Sequence, residues 1–303
     1  MSIRTVLARF LSPSAKAAAG QQPRRNSVLC ASPKGLHRMA YLEWGDPASD
    51  RVLVCVHGLT RNAHDFDFIA RALADDYRVV CPDVVGRGGS DWLADKARYA
   101  VPQYVADMVT LIARLAVERV DWIGTSMGGL IGMTLAAQEK TPIRRLVLND
   151  VGPVLAAAAL QRIGTYVGRD FRFADLAAAE SHLRKAHAPF GALSDAQWQH
   201  LTVHSFRRDG DGYVFAYDPG IGDAFRNAPV LMDVDVWPLY DRIACPTLVL
   251  RGAESDLLSR ETLVHMSLRG PCATTIEVEG VGHAPALMEE SQVAPIRDFL
   301  GAP

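Results

Sequence analysis

The 303-residue chain contains no uninterrupted apolar run of the ~18 residues that a membrane-crossing helix needs, so no transmembrane segment is expected. It lacks any C-x-x-C pair and any Cys/His cluster at metal-ligand spacing. Its five cysteines, Cys30, Cys55, Cys81, Cys245 and Cys272, are scattered and odd in number. That pattern argues against a zinc or redox motif and fits reduced, buried thiols in a cytoplasmic compartment. Net charge is also scarce, at −2, so the chain as a whole lacks the basic surplus that binds nucleic acid. No internal repeat is visible. Acidic residues are missing from positions 1–42, which carry seven Lys and Arg, and segment 12–27 is rich in Ser, Ala, Pro, Gln and Arg. Arg9 interrupts the only apolar stretch there, which speaks against a secretory signal. Residues 1–28 therefore read as a basic flexible tail, with a targeting or surface-docking role left open.

What is present is α/β alternation. "LHRMAYLEWG" alternates, and "RVLVCVHG", "YRVVCPD", "VDWIGTS" and "RRLVLND" are short β-branched runs typical of strands buried on both faces. Helical spacing predicts helices over Phe66–Ala74, Pro102–Val117 and Met127–Gln138. After Asp150 the texture changes. Residues 153–204 are alanine-rich with helical spacing, and "SFRRDGDGYVFAY" reads as a hairpin turning at Asp209-Gly210-Asp211-Gly212. Alternation resumes with "CPTLVLRG" and "ATTIEVEG", and a helix over Ala294–Leu300 closes the chain. The organisation expected is an α/β core over 29–150 and 236–303, interrupted by an insertion over 151–235.

The core strands end in reactive residues, where open α/β sheets gather their functional groups. "DWIGTSMGG" ends in Ser126, "LVLRGAESDLL" near Asp256 and "VEGVGHAPALME" in His283. Gly124-Thr125-Ser126-Met127-Gly128 spells G-x-S-x-G. A serine ahead of an apolar run is commonly a helix cap, but a cap needs none of these glycines, whereas a sharp strand-to-helix turn does. Ser–Asp–His is also the chain order of nucleophile-elbow hydrolases. Ser126 is then the candidate nucleophile, His283 its base, and Asp256 the acid that orients the imidazole. The backbone N–H groups of Met127 and Leu59 are candidates for an oxyanion hole. Asp150, which ends "LVLND", competes for the acid's place; otherwise it caps a helix or anchors the insertion.

Taken together, "HGLTRN", "PDVVGRGGSD", "GTSMGG", "CPTLVLRGAESD" and "GVGHAPALME" resemble the α/β-hydrolase superfamily over about residues 36–300. The resemblance implies an eight-stranded, mostly parallel sheet flanked by helices, a mainly helical cap over the site, a small-molecule substrate and no required metal or organic cofactor. It is nearest in character to lid-bearing esterases, lactonases and carbon–carbon bond hydrolases. Some members draw the triad acid from the position of Asp150. Members that are dehalogenases or epoxide hydrolases carry aspartate at the elbow, so Ser126 argues against both.

The expected activity is a serine hydrolase acting on a small to medium apolar ester, lactone or thioester. A carbon–carbon hydrolase with the same triad and a non-turning-over receptor are the alternatives. Trp198, Phe206, Trp237 and Leu257 are candidates to line an acyl pocket. The insertion's aromatics, Tyr213, Phe215 and Tyr217 included, serve equally well as a small core of their own. Asp83 in its Gly-rich turn reads as a loop brace, and His57 as a support for the oxyanion loop. His200 and His204, spaced i, i+4, could share a zinc ion, but their polar setting reads as solvated insertion residues. The sequence leaves open whether the chain is a monomer or a homodimer.

Overall fold

Buried β-branched runs build the sheet. The computed structural model describes residues 22–226 and 232–302. Its strands are β1 (Arg24–Ser32), β2 (Gly35–Trp44), β3 (Val52–Val56), β4 (Arg78–Pro82), β5 (Val120–Thr125), β6 (Ile143–Asn149), β7 (Thr247–Gly252) and β8 (Thr274–Val278). They form one eight-stranded sheet in the order β1-β2-β4-β3-β5-β6-β7-β8. β1 and β2 are antiparallel to their neighbours and the rest run parallel. Side chains alternate between two faces, as the pleat requires. Val54, Val56, Val80, Trp122 and Leu146 pack in one core, while Leu53, Cys55, Val79, Cys81 and Ile123 pack in the other.

The flanking helices are α1 (Asp67–Leu73), α2 (Val101–Leu115) and α3 (Met127–Ala136). Between β6 and β7 the chain forms α4 (Ala157–Gly164), α5 (Leu176–Ala186) and α6 (Asp195–Ser205), then a hairpin of strands Phe206–Asp209 and Gly212–Phe215. α7 (Arg260–Leu268) follows β7 and α8 (Glu290–Gly301) follows β8, and two single turns of helix, Asp223–Arg226 and Trp237–Tyr240, flank the return from the inserted segment. The expected hairpin is present and turns at Gly210-Asp211. The ends of the inserted segment meet: Val154 and Leu155 pair antiparallel with Asp235 and Val234. Positions 227–231 of that segment lie outside the described residues. No helix among the described residues is long and apolar enough to cross a membrane.

Two expectations need correction. Arg24–Val28, read as tail, form the first half of β1 and pair with Met39–Glu43. Only Val28 and Cys30 of this strand point into the core, so the strand is made by its partner rather than by its own pattern. The rest of the expected tail, residues 1–21, lies outside the described residues. Cys272 is exposed, not buried, and Cys245 is half-buried; Cys30, Cys55 and Cys81 are buried, and all five are free thiols.

Candidate active site

The carboxyl ends of β5 and β6 and the loops after β7 and β8 converge. At the end of β5 the chain turns within one residue into α3. Ser126 takes up φ 52°, ψ −113°, a conformation strained for any residue with a side chain. The flanking glycines make the turn possible. A Cβ on Gly124 would lie 2.3 Å from the Gly128 carbonyl carbon, and one on Gly128 would lie 1.9 Å from Val56 O. The Ser126 hydroxyl does not cap α3. Instead Ser126 Oγ lies 2.9 Å from His283 Nε2, and His283 Nδ1 lies 2.7 Å from Asp150 Oδ2. An ionised carboxylate only accepts, so the proton sits on Nδ1 and leaves Nε2 free to accept from the serine.

The structure thus brings Ser126 and His283 together, as expected, but places Asp150 rather than Asp256 against the imidazole. The reason lies in strand order. Asn149 pairs with Thr125 across β5–β6 and with Leu250 across β6–β7, so Asp150 emerges one strand from Ser126 at the same level. Asp150 is fully buried, with φ 56°. Its Oδ1 accepts from Gly252 N at 2.8 Å and its Oδ2 from Ser255 Oγ at 2.6 Å. Asp256 lies further along the outward loop after β7. Its side chain is 50 % exposed and forms an ion pair with Arg162 of α4, at 2.5 and 2.9 Å. Asn149 braces the same edge, donating to Thr125 Oγ1 at 3.0 Å and to Pro285 O at 2.8 Å.

The two candidate oxyanion donors sit beside the serine. Met127 is the first residue of α3, where an N–H has no carbonyl four residues back in its own helix. Leu59 follows Gly58, whose Cα position faces Ser126: a Cβ there would stand 3.8 Å from Ser126 Cβ. His57 fixes this loop. Its Nε2 accepts from Val84 N at 2.9 Å, so its Nδ1 carries the proton and donates to Gly58 O at 2.7 Å. Burial pushes the His57 pKa down to about 3, which keeps the ring neutral in this role.

Arg87 went unread in the sequence. It is fully buried, and its guanidinium donates to Leu59 O at 2.8 Å, Val85 O at 2.7 Å and Tyr104 Oη at 3.0 Å, with Met127 Sδ 3.5 Å away. One side chain therefore touches both Leu59 and Met127, the two candidate oxyanion donors. The only signal was an arginine between glycines in "VVGRGGSD". Asp83 is the loop brace expected of it, accepting from Ala63 N at 2.8 Å and Gly89 N at 2.7 Å.

Ser126 opens into a cavity of ≈ 190 Å³ with apolar walls. Leu257 lines it, as expected. Trp198, Phe206 and Trp237 do not. Trp198 and Phe206 pack with Ala179, Leu183 and Leu201 of the inserted segment and with Met288 of the α/β core, and Trp237 meets Tyr240 edge-on with the Arg269 guanidinium over its ring. The insertion's contribution comes instead from Leu155, Leu160 and Ile163 around α4 and from Ile221 and Phe225. The i, i+3 spacing of Leu160 and Ile163 was the available signal. Tyr99 and Tyr104 also border the cavity, but their hydroxyls are engaged, Tyr99 donating to Asp218 at 2.6 Å and Tyr104 accepting from Arg87.

This is the architecture of the α/β hydrolases. A family model described as alpha/beta hydrolase fold matches residues 51–185. A 3-hydroxybutyrate-oligomer hydrolase of Cupriavidus necator is 52% identical over 286 residues, spanning 92% of this chain and 98% of that protein. The chain belongs to the alpha/beta hydrolase family and is a hydrolase. Among solved structures, an alpha/beta hydrolase from Novosphingobium aromaticivorans superposes with a TM-score of 0.82 at 36% identity, covering 92% of this chain and 99% of that one. A chain from Rickettsia typhi superposes with a TM-score of 0.86 at 33% identity over the same shares.

Proposed function

We propose that the protein is a serine ester hydrolase that cleaves short oligomers of 3-hydroxybutyrate through an acyl-enzyme on Ser126. The observation that carries the chemistry is the unbroken chain Ser126 Oγ–His283 Nε2, His283 Nδ1–Asp150 at the mouth of an apolar cavity. The substrate rests on the 52% identical relative, which spans nearly the whole chain.

The steps follow from the geometry. Ser126 Oγ attacks the ester carbonyl while its proton passes to His283 Nε2. Asp150 stabilises the imidazolium that forms and does not take the proton itself. The negative charge on the former carbonyl oxygen is met by the Met127 and Leu59 N–H groups; in other systems removing one such donor costs about 3–4 kcal/mol. The imidazolium then protonates the departing hydroxyl of the next hydroxybutyrate unit. Water, deprotonated by His283, releases the acyl group and restores Ser126. The walls formed by Leu160, Ile163, Phe225 and Leu257 suit a short branched acyl unit and exclude water from the ester. The inserted segment, which supplies three of those four residues, acts as the lid.

The test is monomer release from linear 3-hydroxybutyrate dimer and trimer, followed by chromatography, beside p-nitrophenyl butyrate and a ring-fission dienone. The reading requires monomer release, a burst with the activated ester and loss of both in Ser126→Ala. Turnover of the dienone with inert esters would instead identify a carbon–carbon hydrolase. Binding of the oligomers without burst or turnover would identify a receptor.

A further inference from the structure

The geometry points to a binding site for one divalent transition-metal ion of the zinc type, formed by His64, Asp67, His200 and His204, which clamps α6 to the loop between β3 and α1. The four side chains come from two places far apart in sequence. His64 lies in the 3-10 turn Ala63–Phe66, and Asp67 opens α1. His200 and His204 share one face of α6, one turn apart.

One ring nitrogen each from His64 and His204 and one carboxylate oxygen of Asp67 lie within 4.8 Å of one another. The His64 and His204 rings stack with centroids 3.6 Å apart, and His200 stands 4.7 Å from His204 at a steep angle. Asp67 Oδ2 accepts from His64 Nδ1 at 2.8 Å and lies 3.5 Å from His200 Nε2, which donates to His64 O at 3.0 Å; both hydrogen bonds must give way for the ion, and His200 joins as the fourth ligand only by turning from His64 O. The second observation is Asp67 Oδ1. The side chain is 8% exposed, and this oxygen has no hydrogen-bond partner among the described residues. A buried carboxylate oxygen left without a donor is costly, and a cation bound to this carboxylate would offset that cost.

Three imidazoles and a carboxylate make a donor set for zinc and its neighbours, and four ligands close a tetrahedral site. Ligand atoms at ~2.0–2.1 Å from such an ion stand about 3.4 Å apart, so the rings need to swing inward by roughly an ångström, within reach of side-chain rotation. The backbone is already fastened at this junction. Asn62 Nδ2 donates to His204 O at 2.8 Å, and Arg61 Nη1 donates to Ser205 Oγ at 2.7 Å. An ion here adds a cross-link between the inserted segment and the core. Nothing in the ester chemistry of Ser126 requires it, so its test is independent of that reading.

The experiment uses the untagged full chain, stripped with EDTA and dialysed. Zn²⁺ is titrated by calorimetry and Co²⁺ by visible absorption. The expected result is one ion per chain, the strong visible bands of tetrahedral cobalt, and a Tm raised by about 5 °C or more at a hundredfold excess of zinc over Kd. His200→Gln and His204→Gln should each weaken binding at least tenfold and abolish the zinc-dependent rise in Tm. Their Tm in EDTA should stay within a few degrees of the parent. Absence of stoichiometric binding in the parent chain overturns the site. So does binding that survives in both variants, which would assign the ion elsewhere, such as the buried Cys30, His37 and Asp107 group. If a variant fails to fold, the cobalt spectrum of the parent decides alone: octahedral bands, or none, refute the four-ligand site.

Discussion

Ser255 donates a 2.6 Å hydrogen bond to Asp150 Oδ2, the same oxygen that faces His283 Nδ1. The loop expected to supply the triad acid thus supplies the acid's support. Ser255→Ala leaves a buried carboxylate short of one donor and frees the N–H groups of Leu257 and Leu258 that its Oγ accepts from. The expected cost is about 1–3 kcal/mol of stability, read by urea unfolding. The kcat on p-nitrophenyl butyrate should fall on the order of tenfold as His283 loses its fixed orientation.

Exchanging the two aspartates tests the triad itself. Asp150→Asn should lower kcat by about 10⁴, the size of effect seen when a comparable triad acid is neutralised. Asp256→Asn breaks only an exposed ion pair with Arg162, a contact worth about 0–1 kcal/mol, and should keep kcat within tenfold of the parent. Steady-state kinetics on both variants decide between them. A dead Asp256→Asn beside an active Asp150→Asn would reverse the roles.

How much of this was legible beforehand depends on whether the information was local. The elbow was readable because Gly124, Ser126 and Gly128 lie within five residues and the steric demand that selects them acts over the same distance. The acid was not, because Asp150 and Asp256 both follow strands. Only the neighbouring of β5, β6 and β7, a property of the sheet as a whole, puts Asp150 beside His283. β1 was hidden for a similar reason, since only two of its nine side chains are buried and its identity comes from β2. Trp198 and Phe206 lie in a separate cluster with Leu183 and Leu201, and the insertion's share of the cavity wall comes from Leu155, Leu160, Ile163, Ile221 and Phe225 instead.

Ser126 combines chemistry with strain, and two substitutions separate them. Ser126→Ala and Ser126→Gly should both lose at least 10⁴ in kcat. Glycine adopts φ 52° freely, so Ser126→Gly should unfold at a higher temperature than Ser126→Ala, by an amount equivalent to about 1–3 kcal/mol. Differential scanning calorimetry of the pair reads this directly; equal Tm values would show the elbow to be unstrained.

Arg87→Lys keeps the charge but cannot span Leu59 O, Val85 O and Tyr104 Oη from one planar group. The Leu59 loop should loosen, lowering kcat by about 10–100-fold with KM little changed, since small displacements at a reacting centre cost that much. A variant with unchanged kcat and a raised KM would place Arg87 in substrate binding instead.

His57 gives stability a pH dependence of known sign. Its pKa is near 3 in the folded chain against about 6.5 when unfolded. Between those values the unfolded state binds the extra proton, so its contribution is fully present above pH 6.5 and is lost as pH falls toward 3. Urea midpoints should therefore decline from pH 7 to 5, and the decline should be shallower by nearly one proton in His57→Gln. Identical slopes would remove His57 as the cause.

Asp150 is also the last residue before the chain departs for the inserted segment, and the segment's return is pinned beside its departure by the pairing of Val154 and Leu155 with Asp235 and Val234. This defines a suture. A foreign insertion spliced between residues 155 and 234 would enter and leave through an existing ladder without displacing the acid, the serine or the histidine. A splice made five residues earlier would cut into the left-handed turn at Asp150. The ladder therefore confines an exchange of the inserted segment to residues away from the contacts among Ser126, His283 and Asp150.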